Sequence, residues 1–213
     1  MYTLAIESAG PLGGVALWNE TEAHEIIVPL GPGRGEVLPE LIKELMRQAK
    51  VSWEKISLIA VDVGPGSFTG LRVGLSLAKA LAQVRGLPVV PVRQTEAVGF
   101  PLARFWPGRV CVWIHDRRDY VYMGWVEEER AGTELVLTFS EALGRVREHT
   151  GVLLAGTGAV RFAQEIKAQA EQIVLAPETF SHPRPLVVAQ IGYARYTREG
   201  PVDLLKLEPH YVQ

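Results

Sequence analysis

The run from Val61 to Gly74 contains residue types that could hold a phosphate or carry a nucleophile. An apolar stretch leads into Gly64-Pro65-Gly66, and Ser67 is placed to cap the helix that follows. The free N-terminus of such a helix attracts anions. The run is not a P-loop, because no Gly-Lys-Ser/Thr follows its glycines at the required spacing. It is not a nucleophile elbow either, because Ser67 lacks the Gly-x-Ser-x-Gly frame. The spacing therefore favours a tight turn between a strand and a helix.

A second candidate site lies in the turn after the first apolar run, where Glu7, Ser8 and Gly10 stand close together. An active actin-like ATPase needs a carboxylate in its first hairpin to organise Mg²⁺, and glycines that let the backbone approach the phosphates. The second predicted hairpin turns at 115–119 without any glycine. Half of a phosphate clamp is therefore missing. We interpret Glu7, Ser8 and Gly10 as a vestigial nucleotide cleft and expect no bound cofactor.

Metal-dependent and triad chemistry find little support in the sequence. None of the five histidines forms a His-x-x-x-His pair, and Cys111 is the single cysteine. Nothing in the sequence supports a triad built on Ser67. We predict no catalytic residue and no metal ligand.

Composition limits the class of protein further. The chain has 213 residues with 22 Lys+Arg against 24 Asp+Glu, and 47% of it is hydrophobic. These values are typical of a globular protein and exclude a disordered one. The charge balance lacks the basic excess of a protein that binds nucleic acid unaided. No basic, then apolar leader opens the chain, and no 18-residue apolar run occurs in it. We therefore expect a cytoplasmic protein that has no membrane partner.

Hydrophobic periodicity predicts the order β-β-β-α-β-α-β-α in each half of the chain. In the first half, the predicted elements are Tyr2–Glu7, Gly14–Trp18, His24–Val28, Glu36–Lys50, Ile56–Val63, Ser67–Arg85, Leu87–Val92 and Thr95–Phe105, with a loop at Leu30–Gly35. In the second half, they are Arg109–Ile114, Tyr120–Glu127, Glu134–Phe139, Glu141–His149, Val152–Ala155, Ala159–Ala170, Gln172–Leu175 and a last helix from Pro183/Pro185 towards Arg198.

This repeated order predicts an α/β fold made of two tandem ribonuclease-H-like lobes, the actin/sugar-kinase/Hsp70 ATPase-like architecture. The predicted lobes are residues 1–105 and 106–213, divided near Phe105–Gly108. A C-terminal helix or tail, residues 185–213, can pack back on the first lobe. One continuous sheet is the alternative.

The helix predicted from Ser67 to Arg85 has more apolar surface than one sheet face needs. Its polar residues form one narrow stripe: Arg72, Ser76, Lys79 and Gln83. A helix lying on a sheet needs an apolar stripe of about 100°, and this arc is roughly twice as wide. Small residues recur every four positions, at Gly70, Gly74, Ala78 and Ala82, where another helix can approach closely. Either the chain itself or a second protein covers this arc, and the pattern does not separate the two.

The segment Gly64–Arg72 resembles the signature of the TsaB (YeaZ) family, within the Gcp-like, nominally M22 peptidase group. The signature turn consists of Gly64, Pro65, Gly66, Ser67, Phe68 and Thr69. The similarity extends over most of the chain. The sequence departs from the family's pattern in its first turn, Glu7-Ser8-Ala9, and at His115–Arg118, which weakens the expectation of nucleotide binding.

The resemblance implies a non-catalytic partner subunit that binds and activates TsaD. TsaD forms N6-threonylcarbamoyladenosine at position 37 of tRNAs reading ANN codons. TsaE and tRNA would be reached through the complex, and the chain would form a homodimer when TsaD is absent. The peptidase label of the group is not supported. The alternative function is an autonomous actin-like ATPase or phosphotransferase, for which ATP binding should require Glu7.

The same resemblance implies that the two first-lobe helices form the interface. Its predicted residues are Leu38, Leu41, Ile42, Leu45, Gly70, Leu71, Gly74, Leu75, Ala78 and Ala82.

Overall fold

The computed structural model describes residues 1–30, 37–127 and 130–212. The predicted loop at Leu30–Gly35, from residue 31 onwards, and the predicted helix start at Glu36 lie outside these residues. The described chain divides into two compact units, each built around its own sheet.

The first unit comprises Met1–Arg93 and Pro183–His210. Its strands are β1 (Tyr2–Glu7), β2 (Leu12–Trp18), β3 (Ala23–Pro29), β4 (Ile56–Asp62) and β5 (Val89–Val92), and its helices are α1 (Leu38–Ala49), α2 (Phe68–Arg85) and the C-terminal helix Pro185–Glu199. The sheet order is β3-β2-β1-β4-β5, with β1, β2 and β3 antiparallel and β1, β4 and β5 parallel. Strands β1 and β4 are apolar along nearly their whole length because helices cover both faces of the sheet.

The second unit comprises Gln94–His182 and the chain end from Tyr211. Its elements are α3 (Gln94–Ala103), β6 (Val110–His115), β7 (Tyr120–Glu127), β8 (Arg130–Ala131), β9 (Leu135–Thr138), α4 (Phe139–Arg147), β10 (Leu153–Ala155), α5 (Thr157–Arg161), α6 (Ala163–Gln169) and β11 (Val174–Leu175); the C-terminal helix of the first unit is therefore α7. The sheet order is β11-β10-β6-β7-β8, and β9 also pairs with β7. The central strand again has an antiparallel neighbour on one side and a parallel neighbour on the other.

The predicted fold class is confirmed, and the alternative of one continuous sheet is wrong. In each unit an antiparallel β-meander is followed by parallel strands joined through helices, which is the ribonuclease-H-like arrangement. The predicted helix Ala159–Ala170 is two helices, because the backbone leaves the helical region at Phe162. The Phe162 ring is buried against the Phe139 ring, at 4.9 Å between centroids.

The units divide between Arg93 and Gln94, twelve residues before the predicted boundary near Phe105. The reason is that helix α3 packs on β6 and β7 and so belongs to the second unit. Helix α7 packs on β1, β2 and β4 of the first unit. It is fixed there by Glu25 on β3, whose carboxylate accepts hydrogen bonds from the Leu186 N–H (2.8 Å) and the Arg184 guanidinium.

Candidate functional site

The signature turn connects β4 to α2 in a conformation that requires its glycine and its serine. Gly64 has φ +100°, a region that L side chains rarely adopt, and its N–H donates to Asp62 Oδ1 at 2.6 Å. Ser67 is the N-cap of α2, and its hydroxyl accepts from the Gly70 N–H at 3.2 Å. The prediction of a strand-to-helix turn capped by Ser67 is therefore confirmed.

The outer side of the signature turn is exposed. Ser67 and Thr69 are exposed, and 55% of Phe68 is accessible to solvent. The Arg72 guanidinium lies 4.1 Å from the centroid of the Phe68 ring, a cation–π contact on the surface. An exposed aromatic ring beside an arginine is the side-chain pair that protein interfaces enrich.

The turn after β1 lies against the signature turn and the first turn of α2, so the structure brings together residues from all three sets of predicted site residues. The carbonyl oxygen of Ala9 accepts from the Ser67 N–H at 2.8 Å, and the Ser8 hydroxyl donates to the Gly70 carbonyl at 2.8 Å. Both contacts follow from the parallel pairing of β1 with β4, which ends the two strands side by side. Ser8 is buried and Gly10 is half-buried.

Glu7 is fully buried, which the sequence did not indicate. Its Oε1 accepts from the Ala9 N–H (2.8 Å) and the Gly10 N–H (3.1 Å), and its neighbour on β4 is the equally buried Asp62. Burial raises the pKa of Glu7, and the hydrogen bonds from Asp62, Ala9 and Gly10 offset part of that rise. Asp62 is a site residue that sequence reasoning missed. Its signal was a single acid at the end of an otherwise apolar strand.

Most of the predicted interface residues lie inside the first unit. Leu38, Ile42, Leu45, Leu71, Gly74, Leu75, Ala78 and Ala82 are buried, while Leu41 and Gly70 are half-buried. Six of them form one core cluster with strands β1, β2 and β4: Leu38, Ile42, Leu45, Leu75, Ala78 and Ala82.

The row of small residues is consequently a packing feature and not an open groove. A Cβ at Gly70 would overlap the Ser8 carbonyl oxygen, and a Cβ at Gly74 would overlap the Ser8 hydroxyl. The small residues let α2 lie directly on the end of β1. Of the two arrangements that the sequence left open, the chain itself covers this part of the apolar arc.

A different part of α1 and α2 forms an outer groove, which we define by the seven residues that line it. They are Pro39, Ile42, Lys43, Met46, Trp53, Leu77 and Leu81. Leu77 and Leu81 are only half-buried although they are apolar. The Lys43 side chain is 79% exposed, and the Arg85 guanidinium lies 4.8 Å from the Trp53 ring, so cations accompany the apolar surface. The i, i+4 pair Leu77/Leu81, which lies on the same side of α2 as Gly70 and Gly74 but further along the helix, is the sequence signal that could have indicated this groove.

In the second unit, the turn at His115–Asp119 is closed by its own residues. One ring nitrogen of His115 lies 3.1 Å from the Arg118 carbonyl, and Arg118 has φ +51°. The segment Gly156-Thr157-Gly158 packs on β6: the Thr157 hydroxyl accepts from the His115 N–H at 3.0 Å, and a Cβ at Gly156 would overlap the Trp113 carbonyl. These two glycines therefore serve the contact between a helix and a strand.

Two findings concern the described residues as a whole. Within 1–30, 37–127 and 130–212, no group of three His, Cys, Asp or Glu side chains is placed to hold a metal ion. Among the same residues, no helix combines the length and the apolar character needed to span a bilayer.

Comparison with known proteins supplies the family. A family model described as TsaD, tRNA N6-adenosine threonylcarbamoyltransferase, matches residues 34–190. A transferase of that name from Rhizobium leguminosarum bv. trifolii is 32% identical over 183 residues, covering 79% of this chain and 46% of the relative. The chain thus spans about half the length of the curated transferases that it matches.

A smaller relative matches the chain over most of both sequences. It is the tRNA threonylcarbamoyladenosine biosynthesis protein TsaB of Haemophilus influenzae, 24% identical over 83% of this chain and 78% of the relative. The crystal structure of YeaZ from Pseudomonas aeruginosa has the same fold, with a TM-score of 0.80, 22% identity and coverage of 99% of both chains. The chain belongs to the TsaD family that the model describes and, within it, to the TsaB (YeaZ) group.

Proposed function

We propose that this chain is a non-catalytic partner subunit that binds and activates TsaD in the formation of N6-threonylcarbamoyladenosine at position 37 of tRNAs reading ANN codons. Family membership supports the pathway, because relatives of both the TsaD and the TsaB type carry names from threonylcarbamoyladenosine biosynthesis. The subunit works in the cytoplasm, and it reaches TsaE and tRNA through the complex with TsaD.

Two observations support a partner role over a catalytic one. The chain matches the transferases over only about half of their length. The Glu7 carboxylate at the first turn points inward, because its Oε1 accepts hydrogen bonds from the N–H groups of Ala9 and Gly10. A carboxylate held in this way binds its own turn and not a solvent-borne Mg²⁺–phosphate.

The observation that carries the proposal is the outer groove between α1 and α2. A monomer gains nothing from leaving Leu77 and Leu81 partly exposed beside Pro39 and Trp53, whereas a partner's apolar side chains would cover them. Covering apolar area contributes roughly 25 cal/mol per Å² before the cost of association. We propose TsaD as the occupant, and a second copy of this chain when TsaD is absent. The two complexes then compete for one surface.

The interface is tested by placing a charge in the groove. Leu81→Arg should weaken retention of TsaD in a pull-down by tenfold or more, because a cation would replace a central apolar contact. Leu205→Arg is the matched control: this leucine is 89% exposed and lies outside the groove. Circular dichroism confirms that both variants fold. Unchanged TsaD binding by folded Leu81→Arg would exclude the groove.

A milder pair of variants covers the case in which Leu81→Arg does not fold. Lys43→Glu reverses an exposed charge at the groove, whereas Lys167→Glu does so on α6 of the second unit, and neither removes packing. Only Lys43→Glu should alter TsaD affinity and its salt dependence. Equal effects of the two variants would count against the groove.

The subunit role is tested by reconstitution. TsaD and its other partners should form threonylcarbamoyladenosine efficiently only when this chain is present, and the isolated chain should transfer nothing and hydrolyse ATP at the buffer rate. ATP turnover by the isolated chain that Glu7→Ala abolishes would instead establish the autonomous ATPase.

A further inference from the structure

The ends of β1 and β4 hold two carboxyl groups side by side with no access to water. Ile6 pairs with Val61 in the parallel ladder, so Glu7 and Asp62 are the next residues on their strands, and each is 0% exposed. Two adjacent carboxylates cannot both be ionised in such a place without a large electrostatic cost. One proton between them removes one of the two charges.

The hydrogen bonds around the pair leave one oxygen of each group for the other. Glu7 Oε1 accepts from Ala9 and Gly10, and Asp62 Oδ1 accepts from Gly64 at 2.6 Å. The remaining oxygens, Glu7 Oε2 and Asp62 Oδ2, are shielded from solvent, and the Asp62 side chain is close enough to Glu7 to lower its pKa. A hydrogen bond between these two oxygens needs a proton, because two carboxylates only accept.

We propose that Glu7 and Asp62 share one proton in the folded protein, and that this hydrogen bond fastens the turn after β1 to the signature turn after β4. The proton lies between Glu7 Oε2 and Asp62 Oδ2, so the pair carries one negative charge. The fastened turns hold Ala9 against Ser67 and so set where the exposed Phe68 lies at the start of α2.

The two neighbouring strands present no charged residue directly opposite the pair. Strand β2 presents Gly14 opposite Glu7, and β5 presents Val92 opposite Asp62. Arg93 follows Val92 in the sequence, and the His210 backbone N–H donates to the Val63 carbonyl at 2.7 Å. Burial is the dominant influence on the pKa of Glu7 and raises it, while the side chain of Asp62 lowers it.

Infrared spectroscopy of the full chain tests for the proton directly. At a pH of about 6.5, roughly two units above the ordinary glutamate pKa, exposed carboxyl groups are ionised. The wild-type chain should still show the C=O absorption of a protonated carboxyl, and Glu7→Gln and Asp62→Asn should each lose it. The exposed Glu165→Gln is the matched control and should retain it. Absence of the band from the wild type, which needs no variant to be folded, would overturn the proposal, as would its persistence in both variants.

The pH dependence of stability gives a second readout. An acid whose pKa is raised by folding contributes stability that is complete below its unfolded pKa and is lost as pH rises towards the folded pKa. The Tm of the wild type should therefore fall relative to that of Glu7→Gln between about pH 4.3 and neutrality. The Tm of Glu165→Gln should change with pH in the same way as the Tm of the wild type. A constant Tm difference between wild type and Glu7→Gln would contradict a shared proton.

A bound cation is the competing way to neutralise the pair, and magnesium chloride is the probe for it. The proposal predicts that added Mg²⁺ leaves the Tm of the wild type and of Glu7→Gln equally unaffected. A saturable rise in Tm that only the wild type shows would assign the pair to a cation and overturn the proton.

Discussion

At the scale of single residues, glycines inside helices have opposite roles in the two units. Gly70 in α2 lies where a Cβ would overlap the Ser8 carbonyl oxygen, which is backbone and cannot easily move. Gly144 in α4 is exposed, and a Cβ there meets no atom within 4 Å. The first glycine is therefore needed for packing, and the second only weakens its helix.

We predict that Gly70→Ala destabilises the protein by about 1–3 kcal/mol, as overpacked sites do. Gly144→Ala should stabilise it by about 0.5–1 kcal/mol, because alanine is the better helix former. Urea unfolding of the two variants measures both values. Equal shifts of the same sign would show that α2 does not lie on Ser8 as closely as described.

Cys111 is the residue whose chemistry is most suppressed by its position. It is fully buried on β6, and burial raises the pKa of its thiol. We predict that iodoacetamide does not modify the native chain at pH 8 and modifies it stoichiometrically in denaturant, as followed by mass spectrometry. Rapid labelling of the native chain would mean that the second unit opens locally around β6.

At the scale of elements, helix α4 begins with a complete capping box. The Thr138 hydroxyl accepts from the Glu141 N–H, and the Glu141 carboxylate accepts from the Thr138 N–H at 2.9 Å. These hydrogen bonds from the Thr138 backbone and side chain lower the pKa of Glu141. Their stabilising effect is therefore present above the unfolded pKa of this glutamate and is lost as pH falls through the folded value.

We predict that Thr138→Ala costs about 1 kcal/mol at neutral pH and less in acid. Ser140→Ala, two residues further along and exposed, should cost little at either pH. Chemical unfolding at two pH values checks this. A Thr138→Ala penalty that is independent of pH would show that the Glu141 half of the box contributes nothing.

At the scale of the whole molecule, the C-terminal helix completes the first unit although it follows the second unit in sequence. Helix α7 lies on β1, β2 and β4, and Gly192 comes so close to β4 that a Cβ there would overlap the Ala60 side chain. Leu207, beyond α7, is buried in the core cluster that α1 and α2 form with the sheet. The first unit is therefore complete only when the C-terminal segment is present.

We predict that a chain ending at His182 loses amide-exchange protection in β1 and β4, because one face of their sheet becomes exposed. Protection in β6 and β10 should decrease less, since their unit keeps its helices α3, α4 and α5. Hydrogen exchange with mass spectrometry compares the two sets of peptides. Full protection of β1 in the shortened chain would contradict the assignment of α7.

The sequence alone determined the fold class, the capped turn at Ser67 and the family. It also determined the order of the elements, except for strand β8 and the division of one predicted helix into α5 and α6. These rest on local patterns: apolar periodicity, the spacing of glycines and a contiguous signature. Tertiary structure decided which sheet each helix covers. Periodicity shows that α3 and α7 have an apolar side but not which surface covers it. For this reason the division between Arg93 and Gln94 could not be read from the sequence.

Tertiary structure also decided the character of the candidate site. Glu7 and Asp62 are 55 positions apart in the sequence, and only the parallel pairing of β1 with β4 places them together and out of water. Likewise, the small residues of α2 predicted a close approach, and only the packed structure shows that the approaching group is Ser8 of the same chain. A sequence pattern shows which contacts a surface permits, and the tertiary structure determines which group makes the contact.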